Sequence, residues 1–401
     1  MTLTRRDAMA LCGTLLAGCA APRRLFFAAH AEELVARALD GLDRARLLDT
    51  HVHVVGVGAG GTGCYINEEM TSPLHPVKVA QLGFYATASG MWDLRDADEQ
   101  YIRRLRQLAR MSGLGRFMII AFAQFHDENG RPRPEHTEFH TPNRYVLDLA
   151  QLGRDVFLPV ISVHPYDPHA LQLLDEGHAR GAVAVKWLPN AMGIDPGSPR
   201  CDAFYARMRS LALPLITHAG EERAVDAADR QELGNPLRLR RPLEAGVKVI
   251  VAHCAGLGES LDLDEPERTR TRKRSFDLFL RLFTDPRHER LLFADISAMV
   301  QVNRSGAPLR EILKREELHA RLVNGSDYPL PAIGLVIRTE QLAARGYLEG
   351  GDVQVLNAIR DENPLLFDFV LKRRLRIRDG KRTFRLANSV FTAPPGLFPG
   401  G

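Results

Sequence analysis

The chain has 401 residues, enough to bury one large core, and its 45% hydrophobic and 25% charged content is that of an ordinary globular protein. A formal net charge of +4 is small for this length and gives no reason to expect nucleic acid as a partner. The five cysteines, Cys12, Cys19, Cys64, Cys201 and Cys254, contain no CxxC pair, which argues against a cysteine zinc site and a dense disulfide framework.

In chain order, residues 1–21 come first. Arg5-Arg6 precede an apolar stretch from Ala8 to Ala17, which runs into Leu16-Ala17-Gly18-Cys19. A charged start, a short apolar middle and small residues before a cut site describe an export signal. The arginine pair resembles a twin-arginine signal, and Leu-Ala-Gly-Cys resembles a bacterial lipobox in which Cys19 becomes the lipidated N-terminus. That reading places the protein on the periplasmic side, with a lipid anchor to the membrane through Cys19. No later apolar run reaches the roughly 18 residues of a membrane helix.

Residues 22–45 form a lead-in, in which Glu32 to Leu42 reads as a short helix. Eight β-rich apolar segments follow: Leu47–Val54, Phe117–Ala123, Phe157–His164, Ala182–Leu188, Leu213–His218, Lys248–His253, Leu291–Ser297 and Leu322–Asp327. Near-continuous apolar runs such as Phe-Met-Ile-Ile-Ala-Phe suit parallel strands covered on both faces by helices. Leu171 to Arg180, Asp202 to Leu211 and Gln301 to Leu322 read as crossover helices. Eight alternating units predict an α/β fold, a TIM-like (β/α)8 barrel over residues 46–375, rather than an open doubly wound sheet. No GxGxxG opens a helix, which argues against a dinucleotide fold. Long insertions, Gly56 to Gln100 and His126 to Asn143, follow the first and second strands. The basic run Arg268 to Arg274 reads as a solvated face. Residues 376–401 add a hairpin turning at Asp379-Gly380 and an end, Pro394 to Gly401, read as disordered.

Strand alternation sends His51 and His53 to the same face, and two imidazoles at a strand end are half of a zinc site. Alone the HxH pair is weak, because strand histidines are often hydrogen-bonded core groups. Three other strands end on His218, His253 and Asp327, and the fourth carries Lys186. A satisfied core explains one such buried polar residue but not six at matching strand ends. His164 ends the third strand and is a further candidate for metal or substrate contact. Tyr65, Trp92, His126 and His140 lie in the long loops and are candidate pocket residues. Asp49 is read as support for the first strand or for a ligand.

The motifs Asp-Thr-His-Val-His, Val-Lys-Trp-Leu-Pro, Thr-His-Ala-Gly, Ala-His-Cys and Gly-Ser-Asp-Tyr-Pro, in this order, resemble those of the amidohydrolase superfamily. The nearest branch is the amidohydrolase-2 type, which includes aminocarboxymuconate-semialdehyde decarboxylase, and the resemblance runs from about Leu47 to Phe367. It implies that His51, His53 and His218 hold one divalent metal, most fittingly zinc, with Asp327 as the fourth group. His253 would stand beside the metal and share the catalytic work with Asp327. In binuclear relatives a strand-four lysine is carboxylated and bridges two metals. The motif set here resembles the mononuclear branch more closely, so Lys186 is expected as a free ammonium paired with Asp327 or a substrate carboxylate. Trp187-Leu188-Pro189 departs from relatives that place a histidine before the proline.

The activity implied is hydrolysis of an amide (C–N), lactone or ester bond in a small-molecule substrate by a metal-activated water. The alternatives are a non-oxidative decarboxylase on the same barrel, for which Arg95 and Arg144 are possible carboxylate grips, and an exported binding lipoprotein without turnover. A homo-oligomer is expected. If Cys19 is the lipidated residue, labelled fatty acid enters the wild-type chain in its native cell and is absent from Cys19→Ser, read by gel autoradiography.

Overall fold

The computed structural model describes residues 21–227 and 229–399, and the predicted signal residues, Cys12 and Cys19 included, lie outside the described residues. Eight parallel strands form one sheet in strict chain order: β1 (Leu48–His53), β2 (Arg116–Ile120), β3 (Phe157–Ile161), β4 (Ala184–Trp187), β5 (Leu215–His218), β6 (Val249–Ala252), β7 (Leu292–Asp295) and β8 (Leu322–Val323). Seven fall inside the segments predicted from sequence, and β2 begins one residue before its segment, at Arg116. The backbone after β8 returns to β1 through a parallel bridge between Tyr328 and Val52, and Thr50 N donates to Asn324 O at 2.9 Å. The sheet is thereby closed into a barrel.

Alternation sorts the side chains. From β2, Met118 and Ile120 point into the barrel, where they meet Leu48, Val160, Ile216, Ile250 and Phe293. Phe117 and Ile119 point outward and pack under the surrounding helices. Strands buried on both faces need apolar residues at nearly every position, which is why these segments read as unbroken hydrophobic runs.

Three elements differ from their sequence-based reading. The lead-in helix is Ala21–Leu39 and stops before Gly41, whose φ of +72° no helix interior adopts. The predicted helix Gln301–Leu322 is only Ala307–Lys314 followed by a 3-10 segment, Glu316–Arg321. Gly306 and Pro308 set its start, leaving residues 296–306 as a turn-rich loop over the barrel mouth. The C-terminal segment is not loose. Leu397 is 1% exposed and enters the apolar cluster inside the barrel with Ala393 and Phe398 beside it, while Lys248 Nζ donates to Gly396 O. The segment plugs the end of the barrel opposite the strand C-termini. Prolines and glycines suggested a mobile tail, but the two apolar residues among them have an interior to fill.

Among the described residues no helix is long and apolar enough to cross a membrane. Because Leu397 is a fully buried plug, Leu397→Ala should cost about 2–5 kcal/mol, read as a lower urea midpoint with an unchanged m-value.

Candidate active site at the barrel mouth

The C-terminal ends of the strands open into a cavity of about 390 Å³ lined by His51, His53, Lys186, His218, His253 and Asp327 together with apolar side chains. Each polar member stands where an apolar strand gives way to a loop. Strain is concentrated here: His253 and Asp327 have φ of +56° and +60°, values rare for residues with a Cβ and costing on the order of 1–3 kcal/mol. The surrounding hydrogen bonds hold both in place.

His51 is the centre of the cluster. Its Nδ1 lies 2.8 Å from Asp295 Oδ2, so the ring donates there and its Nε2 lone pair faces the cavity. Lys186 Nζ donates to that Nε2 at 3.0 Å, rather than pairing with Asp327 as the sequence suggested. Asp327 Oδ1 is 3.2 Å from His53 Nε2 and 3.7 Å from His51 Nε2, and its other oxygen is 3.9 Å from His253 Nε2. His253 Nδ1 faces Ser297 Oγ at 2.7 Å and Ser297 O at 3.1 Å. Ser297 Oγ in turn donates to Asp295 Oδ1, which also accepts from His253 N and Ser297 N. Nδ1 of His253 is therefore the protonated nitrogen, and Nε2 carries the lone pair. His218 Nδ1 lies 3.4 Å from Glu222 Oε2, while its Nε2 is buried without a hydrogen-bond partner among the described residues.

Burial dominates the protonation states. It pushes His218 down to about 4 and His253 well below the ordinary imidazole value, so both are neutral at pH 7. Burial also lowers Lys186, opposed by Asp295 and Asp327. It would raise Asp327, but His253, a hydrogen bond from His53 and the nearby His51 hold that carboxyl well below its usual range. Burial would likewise raise Asp295, whose contacts with His51 and His253 keep it ionised.

This donor set fits a divalent cation. His51, His253 and Asp327 each offer a ligand atom, all within 4.8 Å of one another. The orphaned Nε2 of His218 is a buried lone pair that lacks a proton donor. Neutral imidazoles with one carboxylate are the ligands zinc prefers. His253, expected beside the metal, belongs to the tightest group. His53 and His218 stand at its edge.

The other sequence candidates have different places. His164 is engaged away from the cavity: its Nε2 donates to Met192 O at 2.9 Å, its Nδ1 accepts from Tyr166 N at 3.2 Å, and its ring lies tilted against that of His126. His140 Nδ1 bonds Phe122 O, and Tyr65 pairs with His140 in a two-stranded ribbon beside the mouth. Trp92 is exposed on the surface. Arg95 and Arg144 are exposed and paired with Asp93 and Asp148. Asp49 Oδ1 accepts from His51 N at 3.1 Å and Ser326 N at 2.8 Å, joining β1 to the segment that carries Asp327. Asp295 and Glu222 were missed. Asp295 ends an apolar strand just as His218 and His253 do, and that same signal would have found it. Glu222 had no comparable signal.

No family model matches the sequence, and no curated protein matches it. Solved structures do resemble the chain. An uncharacterized TIM-barrel protein from Bordetella bronchiseptica is 14% identical over 80% of this chain and 99% of its own, with a TM-score of 0.47. A protein named as a 2-pyrone-4,6-dicarboxylic acid hydrolase from Pseudomonas putida is 15% identical over 81% and 98%, at 0.44. A 5-carboxyvanillate decarboxylase from Sphingomonas paucimobilis is 11% identical over 82% and 96%, at 0.39. At this level of likeness the chemistry rests on the side chains of this chain alone.

Asp295 orients His51 through Nδ1, so if the cluster takes a divalent cation, Asp295→Ala should weaken its binding about 10–100-fold in a competitive chelator titration while leaving the far-ultraviolet circular dichroism unchanged.

Proposed function

We propose that the protein is a metal-dependent hydrolase that cleaves an amide, lactone or ester bond of a small molecule. The observation that carries this reading is the meeting of four histidines and Asp327 at the catalytic end of a barrel, around one cavity. His51, His53, His218 and Asp327 would hold one zinc ion, the set the motif resemblance implies, with His253, whose ring also lies within ligand reach of His51 and Asp327, beside them. A bound divalent cation supplies Lewis-acid charge to a carbonyl oxygen and makes water acidic enough to ionise near neutral pH.

The protein's own groups account for the proton movements. Asp327 is ionised and sits in the cavity with its oxygens toward His53 and His253. It takes a proton from the attacking water and returns it to the leaving nitrogen or oxygen. His253 presents a lone pair rather than a proton, so it orients water. The donor available to a developing oxyanion is Lys186, whose ammonium already points at the centre of the cluster. The apolar walls exclude bulk water and strengthen each of these interactions.

A second reading, a non-oxidative decarboxylase, is favoured by one specific observation: the cavity contains a buried arginine, Arg304, able to attract a carboxylate. Product analysis separates the two. Hydrolysis yields two fragments or a ring-opened acid with no CO2, whereas decarboxylation releases CO2.

His53→Ala should lose zinc and activity together. Asp327→Asn should keep most of the zinc, by elemental analysis, and lose at least about a hundredfold in kcat, the scale of general acid–base catalysis. Near-normal turnover of esters or amides by Asp327→Asn removes this role for the carboxylate.

A further inference from the structure

Arg304 has no part in the hydrolytic steps above. It sits on the loop after β7, lines the cavity and is 7% exposed. Its Nε and Nη1 are buried without a hydrogen-bond partner among the described residues. The carboxylates closest in charge are already engaged. Glu222 faces His218 and accepts from the backbone of Ala224 and Val225, Asp327 faces His53, and Asp295 is bound to His51 and Ser297.

The loop itself is firmly held. Arg304 N donates to Gln301 O at 3.0 Å, Gly306 N donates to Arg304 O at 2.8 Å, and Arg345 clamps the next residue, Ser305, at 2.9 Å. The guanidinium is thus placed by its backbone and not by any partner of its own. Leaving a buried cation unpaired is expensive, and a protein that keeps one in a cavity gains from it when a ligand arrives. Much of the remaining wall is apolar, with Leu82, Phe122, Leu188, Leu257 and Val336, while Gln301 and Asn303 flank the arginine in sequence and also line the cavity.

We propose that Arg304 is the subsite for a carboxylate on the substrate. A planar fork of N–H donors matches the two oxygens of a carboxylate, and the apolar wall matches a hydrocarbon body. The substrate is then a compact acid, aromatic or aliphatic, whose carboxylate docks on Arg304 while its amide, lactone or ester carbonyl reaches the His51–Asp327 cluster. The second half of that statement rests on the hydrolase reading, and the first half does not. In the hydrolytic reaction the docked carboxylate is retained in the product.

The test uses the full metal-loaded protein with benzoate as probe and with benzamide and benzyl alcohol as neutral counterparts. Binding is measured by calorimetry and by thermal unfolding in the wild type, Arg304→Met and Arg304→Lys. Wild type should bind benzoate at least about tenfold more tightly than the neutral compounds, and Arg304→Met should lose that preference. Without ligand, Arg304→Met should melt at a higher temperature than wild type, because an unpaired buried charge has been removed. Equal benzoate affinity in wild type and Arg304→Met, as binding by the metal alone would give, overturns the proposal. So does a lower melting temperature of ligand-free Arg304→Met, which marks a structural arginine. If Arg304→Met does not fold, Arg304→Lys decides: it keeps the charge without the fork, and undiminished benzoate binding overturns the proposal. Arg304-dependent benzoate binding in a protein that hydrolyses no carboxylate-bearing ester, lactone or amide leaves the subsite standing and removes the hydrolase reading. Hydrolysis of neutral and acidic esters with equal kcat/KM does the reverse.

Discussion

The site depends on the seam where the last strand segment closes onto the first. Asp49 accepts from His51 N and Ser326 N, Asp327 N donates to His51 O at 2.8 Å, and Thr50 bonds Asn324 O through both its backbone and its hydroxyl. These bonds fix His51 and Asp327 opposite one another. Gly325 makes the approach possible, because a Cβ there would lie 2.7 Å from His51 Cβ. Behind the seam Lys372 donates to Gly325 O at 2.5 Å and to Asp368 at 2.6 Å, so even the outer face is tied down. Burial raises the Asp49 carboxyl, and hydrogen bonds from Ser326 and His51 limit the rise to about 6. The carboxylate that stitches the barrel is thereby kept ionised at neutral pH.

From this seam the polar network spreads around the rim. Asp295 on β7 holds the ring of His51 and the backbone of His253, and Ser297 links Asp295 to the His253 ring. Three strands therefore share one carboxylate, and moving any of them disturbs the others. This explains why His253 and Asp327 persist in left-handed backbone conformations: their neighbours over-determine the geometry. It also assigns tautomers. His51 and His253 each spend Nδ1 on a buried acceptor and keep Nε2 for the cavity.

The barrel was legible because parallel strands covered on both faces must be apolar almost throughout, and the polar residue that ends each run stands out. His51, His53, His218, His253 and Asp327 were visible for that reason. Arg304 was not, since it lies in a loop whose sequence, Gln-Val-Asn-Arg-Ser-Gly, continued the apparent periodicity of a helix. Only Gly306 and Pro308 break that helix, and their effect depends on where the backbone must turn. His164 failed in the opposite sense: it ends a strand run, yet its ring is spent on Met192 O. Strand-end position carries no information about which way a ring is turned. Leu397 and Phe398 were hidden among Pro and Gly, because a plug of two residues has no period.

The charges around the cavity also fit together. Asp295, Asp327 and Glu222 are the carboxylates that line or back it, against the cations Lys186 and Arg304; Arg223 also lines it and is paired with Glu221. Alone, these groups leave an excess of negative charge that would repel an anionic substrate. A divalent cation among the histidines reverses the sign, and the low dielectric of an apolar cavity lets that reversal be felt at Arg304. Metal and acidic substrate would then favour each other's binding without touching. The Lys186 ammonium limits this effect. It occupies the Nε2 lone pair of His51 that a metal would need, so loading the site costs a hydrogen bond and brings two cations together. A substrate anion relieves that repulsion. On this argument the site holds its metal more tightly with an acid bound than without one, and linkage requires the acid to bind more tightly when metal is present.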